Sequence, residues 1–386
     1  MGYWYWRALK TDMDIDHAVT QRFDLPEKGH LSALLMKLHV AAAADLNNYN
    51  NPYPMQRIDF RVVGNGNVEL IDLRGRQLQA MNYWDIGKMP MDFISCPSGS
   101  GVDQYAYIPF GRYIGDTKYG LVLDNFAAGV QVEETDTFSD SYYTSGSSKL
   151  TVYGLFRKSP EGGLFSGGFL RKRQVLNKDT ASETQYAVKL PTRNKLRQIN
   201  LFTEPDLGSD DYLPDTGPFT NLNKVWLGIK SREEYLLDNI GVSMYARFMH
   251  QMYKRKPETI VWTETAAGSD RTVDTMIYER EDSQAVSNYG GTAYGVTLKN
   301  TTMWERIEIP YGWDADGTLS TVNCYLRSKG ICYHGHVPLL MQDPMSDEED
   351  WLDAYDLADV YVEFTEGAST GNIYVVLDEL QKSYPT

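Results

Sequence analysis

Cys332-Tyr-His334-Gly-His336 places one thiol and two imidazoles at alternate positions. On an extended strand all three would point to one face, a partial ligand set for zinc. The sequence offers no evident fourth ligand, and the spacing is not that of a common zinc module. The expectation is therefore ordinary strand residues beside a loop, with no bound metal. The acidic run Asp343, Asp347, Glu348, Glu349, Asp350 and Asp353 has ligands that suit Ca2+. It lacks the alternating D-x-D-x-D-G pattern with a distal Glu, so a solvated turn is expected, with weak calcium binding at a subunit edge as the alternative.

Other chemistry is thinner. With 52 Asp and Glu in the chain, carboxylate pairs arise by chance, and glycosidase work needs a fixed separation in a cleft. No G-x-S-x-G motif lies at a strand–helix junction. Gly64-Asn-Gly66 reads as a two-residue hairpin turn, because no G-x-x-x-x-G-K-[ST] follows it. No catalytic, cofactor-binding or metal residue is assigned, and no enzyme activity or cofactor is expected. The three cysteines, Cys96, Cys324 and Cys332, are too few for a disulfide framework. A Cys324–Cys332 bridge would need neighbouring strands, and buried thiols are the preferred reading. Tyr3, Trp4, Tyr5 and Trp6 with Arg7 form an amphipathic tip, suited either to a lipid headgroup region or to packing on a neighbouring subunit.

The elements that carry these residues are mostly strands. Leu150–Phe156, Val130–Val132 and Val360–Phe364 alternate with period two, and Ile373–Leu377 is apolar on both faces. Leu31–Leu38 suits a strand or a short helix. Gly- and Ser-rich turns such as Ser145–Ser148 and Gly367–Gly371 separate the runs, and Asn47–Pro54 reads as a loop. Two helices are expected. Leu78, Met81 and Trp84 mark one at Gln77–Trp84. The other, Gly241–Lys256, has Tyr245, Met249, Met252 and Tyr253 on one face, cations in its last turn and Pro257 as its stop.

An ordered internal repeat is the strongest signal. Glu69-Leu-Ile-Asp72 precedes the first helix and Tyr235-Leu-Leu-Asp238 the second. Ile108-Pro109 is matched by Val337-Pro338. From these pairs, 22 residues lead to Val130-x-Val132-Glu133-x-Thr135 and 23 lead to Val360-x-Val362-Glu363-x-Thr365. A repeat this long copies a whole domain rather than a solenoid unit. At 386 residues with 42% apolar content, the chain can build two cores, and its 27 Tyr and 8 Trp favour β structure. The domains expected are an N-terminal arm at 1–19, a first sandwich at 20–190, and a second at 191–386. The surplus at 258–335 is expected to form long loops on one face.

A net charge of −15 argues against wrapping nucleic acid, which needs clustered Lys and Arg. No apolar run is long enough to span a membrane. The Met1–Arg7 stretch lacks signal-peptide features, and Gly2 lacks a myristoylation context, so synthesis in a cytoplasm without processing is expected.

Several short blocks, in order, resemble the double jelly-roll major capsid proteins of tailless icosahedral viruses, the tectivirus, corticovirus and adenovirus lineage, and most closely its smaller prokaryotic-virus members. Phe23-Asp-Leu-Pro followed by Leu31–Leu35 is similar to that family's first strand. Tyr107-Ile-Pro-Phe-Gly-Arg112 precedes an acidic turn and Tyr119–Leu123. Gly168-Phe-Leu-Arg171 is similar to the end of the first domain and Leu196-Arg-Gln-Ile199 to the start of the second. Trp351-Leu-Asp through Val376–Leu380 is similar to the closing strands. Cys324–His336 matches no block of the family.

The resemblance implies an all-β fold of two tandem eight-stranded jelly-roll sandwiches with short helices in loops. It further implies a non-enzymatic coat subunit of a virion shell, forming homotrimers of pseudo-hexameric outline that tile with neighbouring capsomers. Minor capsid and vertex proteins would be partners, and the N-terminus would lie near an internal membrane. Two other functions are weighed against it. One is a two-sandwich carbohydrate-binding or carbohydrate-cleaving protein, and the other is a vertex or spike protein of such a virion.

Overall fold

The computed structural model describes residues 2–383 apart from 17, 42–54, 56–57, 67, 89–92, 97–100, 137–146, 159–164, 166, 181–184, 206–220, 230–233, 256–257, 265–270, 275–279, 289–296, 302–303, 310–311, 314–318, 321–322, 340–341, 356, 358 and 368–370. For 93–96 and most of 258–328 it describes the backbone alone. The Asn47–Pro54 loop and parts of the Ser145–Ser148 and Gly367–Gly371 turns lie outside the described residues.

The first sandwich uses strands β1 (Tyr3–Ile15), β2 (Thr20–Asp24), β3 (His30–Val40), β4 (Ile58–Gly64) and β5 (Val68–Arg74). Then follow helix α1 (Gly75–Ile86), β6 (Phe93–Cys96), β7 (Val102–Pro109), β8 (Leu121–Val122), β9 (Val130–Asp136) and β10 (Ser148–Lys158). Its two sheets have the orders β1-β10-β3-β7 and β2-β9-β4-β5, the crossed Greek-key pattern of a jelly roll. The second sandwich repeats this with β11 (Phe169–Asp179), β12 (Gln185–Lys189), β13 (Lys195–Pro205), β14 (Leu222–Ile229), β15 (Glu234–Gly241) and helix α2 (Val242–Met252).

Between α2 and the return to the sandwich lie β16 (Glu258–Glu264), β17 (Arg271–Asp274), β18 (Arg280–Asn288), β19 (Thr297–Thr301), β20 (Trp304–Ile309), β21 (Gly312–Trp313), β22 (Leu319–Ser320) and β23 (Asn323–Gly330). The domain then closes with β24 (His336–Pro338), β25 (Leu352–Asp353), β26 (Val360–Glu366) and β27 (Gly371–Gln381). The orders β11-β27-β13-β24 and β12-β26-β14-β15 reproduce those of the first sandwich position for position.

The sequence repeat therefore falls on equivalent strands. Glu69–Asp72 and Tyr235–Asp238 lie in β5 and β15, the two Pro pairs end β7 and β24, and the V-x-V-E-x-T motifs lie in β9 and β26. Beyond the Pro pairs the hydrogen bonds match too: Phe110 N–H donates to the Ser32 carbonyl, and Leu339 N–H donates to that of Ile199.

Several expectations change. Tyr3–Ile15, within the segment expected as an arm, is the opening strand, paired along β10 from Tyr3–Lys158 to Ile15–Ser148. The Phe23 and Leu31 blocks accordingly sit on the second and third strands. β11 and β12, which precede residue 190, pair with β27 and β26 of the second sandwich, so the chain crosses over near Gly168. The 258–335 surplus is not a set of loops. It forms its own sheets, β18-β23-β16-β6 and β17-β20-β19, with a β21-β22 ribbon. β6, from the α1–β7 connection of the first sandwich, joins β16 in parallel.

Leu31–Leu38 is a strand because β10 and β7 flank it on both sides. β27 is apolar on both faces for a physical reason. Ile373, Val375 and Leu377 join the core of the second sandwich, whereas Tyr374 and Val376 join that of the first. The sheet thus serves two cores at once, and alternation disappears. α1 is capped by Gln77, whose Oε1 accepts the Arg74 N–H at 3.0 Å. It stops at Gly87, left-handed at φ 74°, whose N–H donates to Tyr83 O. α2 ends at Met252 rather than Lys256. Lys254 takes a left-handed φ of 53°, and Arg255 turns back to donate to the carbonyls of Trp84 and Asp85. Met252 is exposed, off the packed face. At Gly64-Asn-Gly66, Asn65 and Gly66 have φ of 48° and 81°, and Gly64 pairs with Val68, so the hairpin connection has three residues.

Candidate functional site

The candidate ligand set does not converge. Residues 331–335 form a turn rather than a strand, with Cys332, His334 and Gly335 all at positive φ, so alternation places nothing on a common face. Each ring finds its own partner: His334 Nε2 meets Gln79 Oε1 at 3.1 Å and His336 Nε2 meets Asn200 Oδ1 at 2.8 Å. The Cys332 backbone N–H donates to His250 Nε2 at 3.3 Å, while His250 Nδ1 donates to the Arg255 carbonyl at 2.6 Å. Cys332 is fully buried, and the side chain of Cys324 lies outside the described residues. Burial holds both His334 and His336 well below the usual imidazole range, with Arg76 adding to the first and His250 to the second. These are neutral rings packed against α1, where Trp84 meets His250 and His336 edge-on.

The acidic run is likewise occupied. Asp343 caps the Met345 N–H at 2.8 Å. Asp347 receives Arg112 Nη1 at 2.8 Å and Lys118 Nζ at 3.4 Å, and Glu348 receives Lys382 at 3.1 Å. Arg112 also grips the buried Asp116 at 2.8 Å. The run ties the loop after β7 of the first sandwich to the second.

Deeper in the same seam lies a buried ionic network. Arg197, from β13, donates to Asp378 of β27 through Nε at 2.8 Å, to Asp85 of α1 at 2.8 Å, and to the Pro344 carbonyl at 2.9 Å. Lys172, from β11, reaches Asp378 at 3.5 Å and the Pro109 carbonyl at 3.1 Å. Gln198 donates to the other Asp85 oxygen at 2.9 Å. Burial alone would lower the Arg197 pKa, but the adjacent Asp378 and Asp85 outweigh it and hold the guanidinium charged. Burial lowers that of Lys172, against Asp378. The network bridges the two sandwiches, and removing any member leaves a buried charge uncompensated. Its sequence signal is a charge inside an apolar run, as in Leu196-Arg-Gln-Ile199 and Val376-Leu-Asp-Glu-Leu380.

What remains for function is surface. Two stretches gather exposed large apolar side chains: Tyr3, Tyr5 and Trp6 on β1, and Tyr235, Leu236, Met244, Phe248 and Met252 on β15 and α2. Patches of this kind mark interaction sites. A cleft of about 670 Å3 runs past Asp24, Lys28, Asp124 and Phe126. Asp24 is taken by Gln131 and Asp124 by the Gly29 N–H, and Phe126 is buried, so the cleft presents no aromatic platform for a sugar.

No family model and no curated sequence matches the chain. Solved structures do. The major capsid protein P2 of bacteriophage PM2 aligns at 10% identity and TM-score 0.50, over 98% of each chain. The STIV MCP aligns at 10% identity and TM-score 0.54, also over 98% of each. A chain in the atomic structure of Sulfolobus Turreted Icosahedral Virus aligns at 10% identity and TM-score 0.55, over 98% of this chain and 91% of that one. The fold is the double jelly roll of these proteins.

Proposed function

We propose that this chain is a major capsid protein, a non-enzymatic coat subunit that assembles as homotrimers of pseudo-hexameric outline in an icosahedral virion shell. The observation that carries this reading is the position-for-position repetition of strand order in two sandwiches, bridged by the Arg197 network, together with whole-length likeness to capsid subunits. A subunit with two similar domains lets three copies occupy six similar places around one axis. Exposed apolar patches on two edge strands of different sheets, β1 and β15, suit a head-to-tail ring.

Synthesis in a host cytoplasm, neighbouring capsomers and minor or vertex proteins as partners belong to the same proposal. For the aromatic N-terminus, packing on a neighbouring subunit is preferred over a membrane contact, because Tyr3–Ile15 is tied into a sheet along its length. The test is native mass by light scattering after size exclusion. Three chains of 43.9 kDa, about 132 kDa together, are expected, with hexagonal tiles by electron microscopy. A stable monomer at all concentrations overturns the proposal.

A further inference from the structure

Within the chain, the two sandwiches are joined edge to edge. β5, the last strand of its sheet, pairs in parallel with β11, the first strand of the next, with Lys172 opposite Ile71 and Arg173 opposite Asp72. The repeat defines a second pair of strands in these two roles. β15 is the counterpart of β5, through Tyr235–Asp238 and Glu69–Asp72, and β1 is the counterpart of β11, each opening its sandwich. Both stand at the ends of their sheets, and among the described residues neither free edge has a strand beside it.

Burial at equivalent positions differs in the way a missing neighbour would produce. Leu70 in β5 is 1% exposed, whereas its counterpart Leu236 in β15 is 44% exposed. Ten of the twelve residues of α1 are buried, against five of the eleven in α2. α1 is covered by the second sandwich through His334, His250 and Arg255. The outer face of α2, with Met244, Phe248 and Met252, is covered by nothing described in this chain. Tyr3, Tyr5 and Trp6 likewise stand exposed along β1. A long apolar edge strand left open is an aggregation hazard that natural proteins pair or cover.

Charge agrees. In the internal junction a cation of the opening strand, Arg173, faces an acid, Asp72. β15 offers Glu234 and Asp238, both exposed, and β1 offers Arg7 and Lys10, also exposed.

The register transfers through the ladder. Lys172 lies opposite Asp378, which lies opposite Gln198, and Tyr5 lies opposite Phe156, which lies opposite Leu31. Gln198 and Leu31 are equivalent, since each precedes the residue whose carbonyl is bonded just past a Pro pair. Counted from this rung, which lies beside a β-bulge between Leu155 and Phe156, Tyr5 takes the place of Lys172, and Leu237 that of Ile71.

We infer that β15 of one copy pairs in parallel with β1 of the next, Leu237 opposite Tyr5 and Asp238 opposite Trp6, so that the junction inside each chain is repeated between chains. The contact is between unlike surfaces, so it builds a ring where the rotation closes, as the trimer requires, and not a twofold dimer. This rests on the trimeric reading and adds the strands that make the contact.

The experiment is a paired-cysteine variant of the full chain, Trp6→Cys with Asp238→Cys, both at exposed positions, treated with a mild oxidant or a short thiol cross-linker. Covalent dimers and trimers are expected from the double variant on a denaturing gel, and only monomer from either single variant. Charge exchange gives a second reading. Asp238→Arg should weaken self-association at least tenfold, and Arg7→Glu in the same chain should restore it. A native trimer that neither cross-links nor responds to the exchange overturns the strand pairing and leaves the trimer standing. A wild-type monomer overturns both.

Discussion

The guanidinium of Arg197 donates Nε–H to Asp378 Oδ2 at 2.8 Å, and neither side chain reaches solvent. Arg197 also holds Asp85 from the other sandwich, so one side chain joins two strands and a helix across the seam. Arg197→Met would leave Asp378 with only the more distant Lys172, and Asp85 with Gln198. A loss of about 3–5 kcal/mol is expected, the usual cost of stranding a buried charge. Chemical denaturation followed by tryptophan fluorescence measures it. A loss below about 1 kcal/mol would mean that the network contributes little to holding the sandwiches together.

His334 and His336 set a lower pH limit. Burial keeps both well below the usual 6.5 in the folded chain, while in the unfolded chain they protonate as pH drops through about 6.5. Below that point the unfolded state binds more protons, so stability falls with falling pH, by up to about 1.4 kcal/mol per pH unit for each ring. Melting temperature should decline between pH 7 and pH 5. His336→Gln should flatten that decline, even if it starts from a lower value. Parallel profiles for the two proteins would refute the assignment.

Glu134 acts in the opposite sense. Burial, and then Asp136 and Asp59, push its carboxyl up to about 8, and among the described residues neither of its oxygens has a hydrogen-bond partner. The stability it contributes is present below its unfolded value near 4.5 and is lost as pH rises through about 8. Glu134→Gln should therefore change little at pH 5 and raise the melting temperature at pH 9. Thermal scans at both values decide it, and equal shifts at the two would remove ionisation as the cause.

How far the sequence could be read depends on what each residue faces. The V-x-V-E-x-T, Pro-pair and pre-helix markers were legible because β9, β26, β7, β24, β5 and β15 occupy equivalent places, and equivalent places select equivalent residues. β1 was not legible. Its Tyr3–Lys10 half is exposed or half-buried on both faces, so no alternation records it as a strand. Cys332–His336 misled because two non-glycine residues at positive φ turn the chain where the letters alternate. The seam was visible only as misplaced charges, since nothing local says that Arg197, Asp378 and Asp85 meet across 181 and 112 residues.

Phe248 gives the sharpest test of what the exposed surfaces do. It is 49% exposed on the outer face of α2, while Tyr245, Ala246 and Met249 hold the inner face against the second core. Phe248→Glu adds a charge where the isolated subunit presents the ring to water, so the fold should survive, with stability within about 0.5 kcal/mol of the parent. If a neighbouring copy covers α2 as the second sandwich covers α1, the same charge becomes buried and unpaired on assembly, and trimers should dissociate. Light scattering should then report monomer where the parent reports trimer, with circular dichroism unchanged. A variant that still forms trimers at the parent's concentration places the α2 face outside the contact, because a desolvated carboxylate at its centre could not be tolerated there.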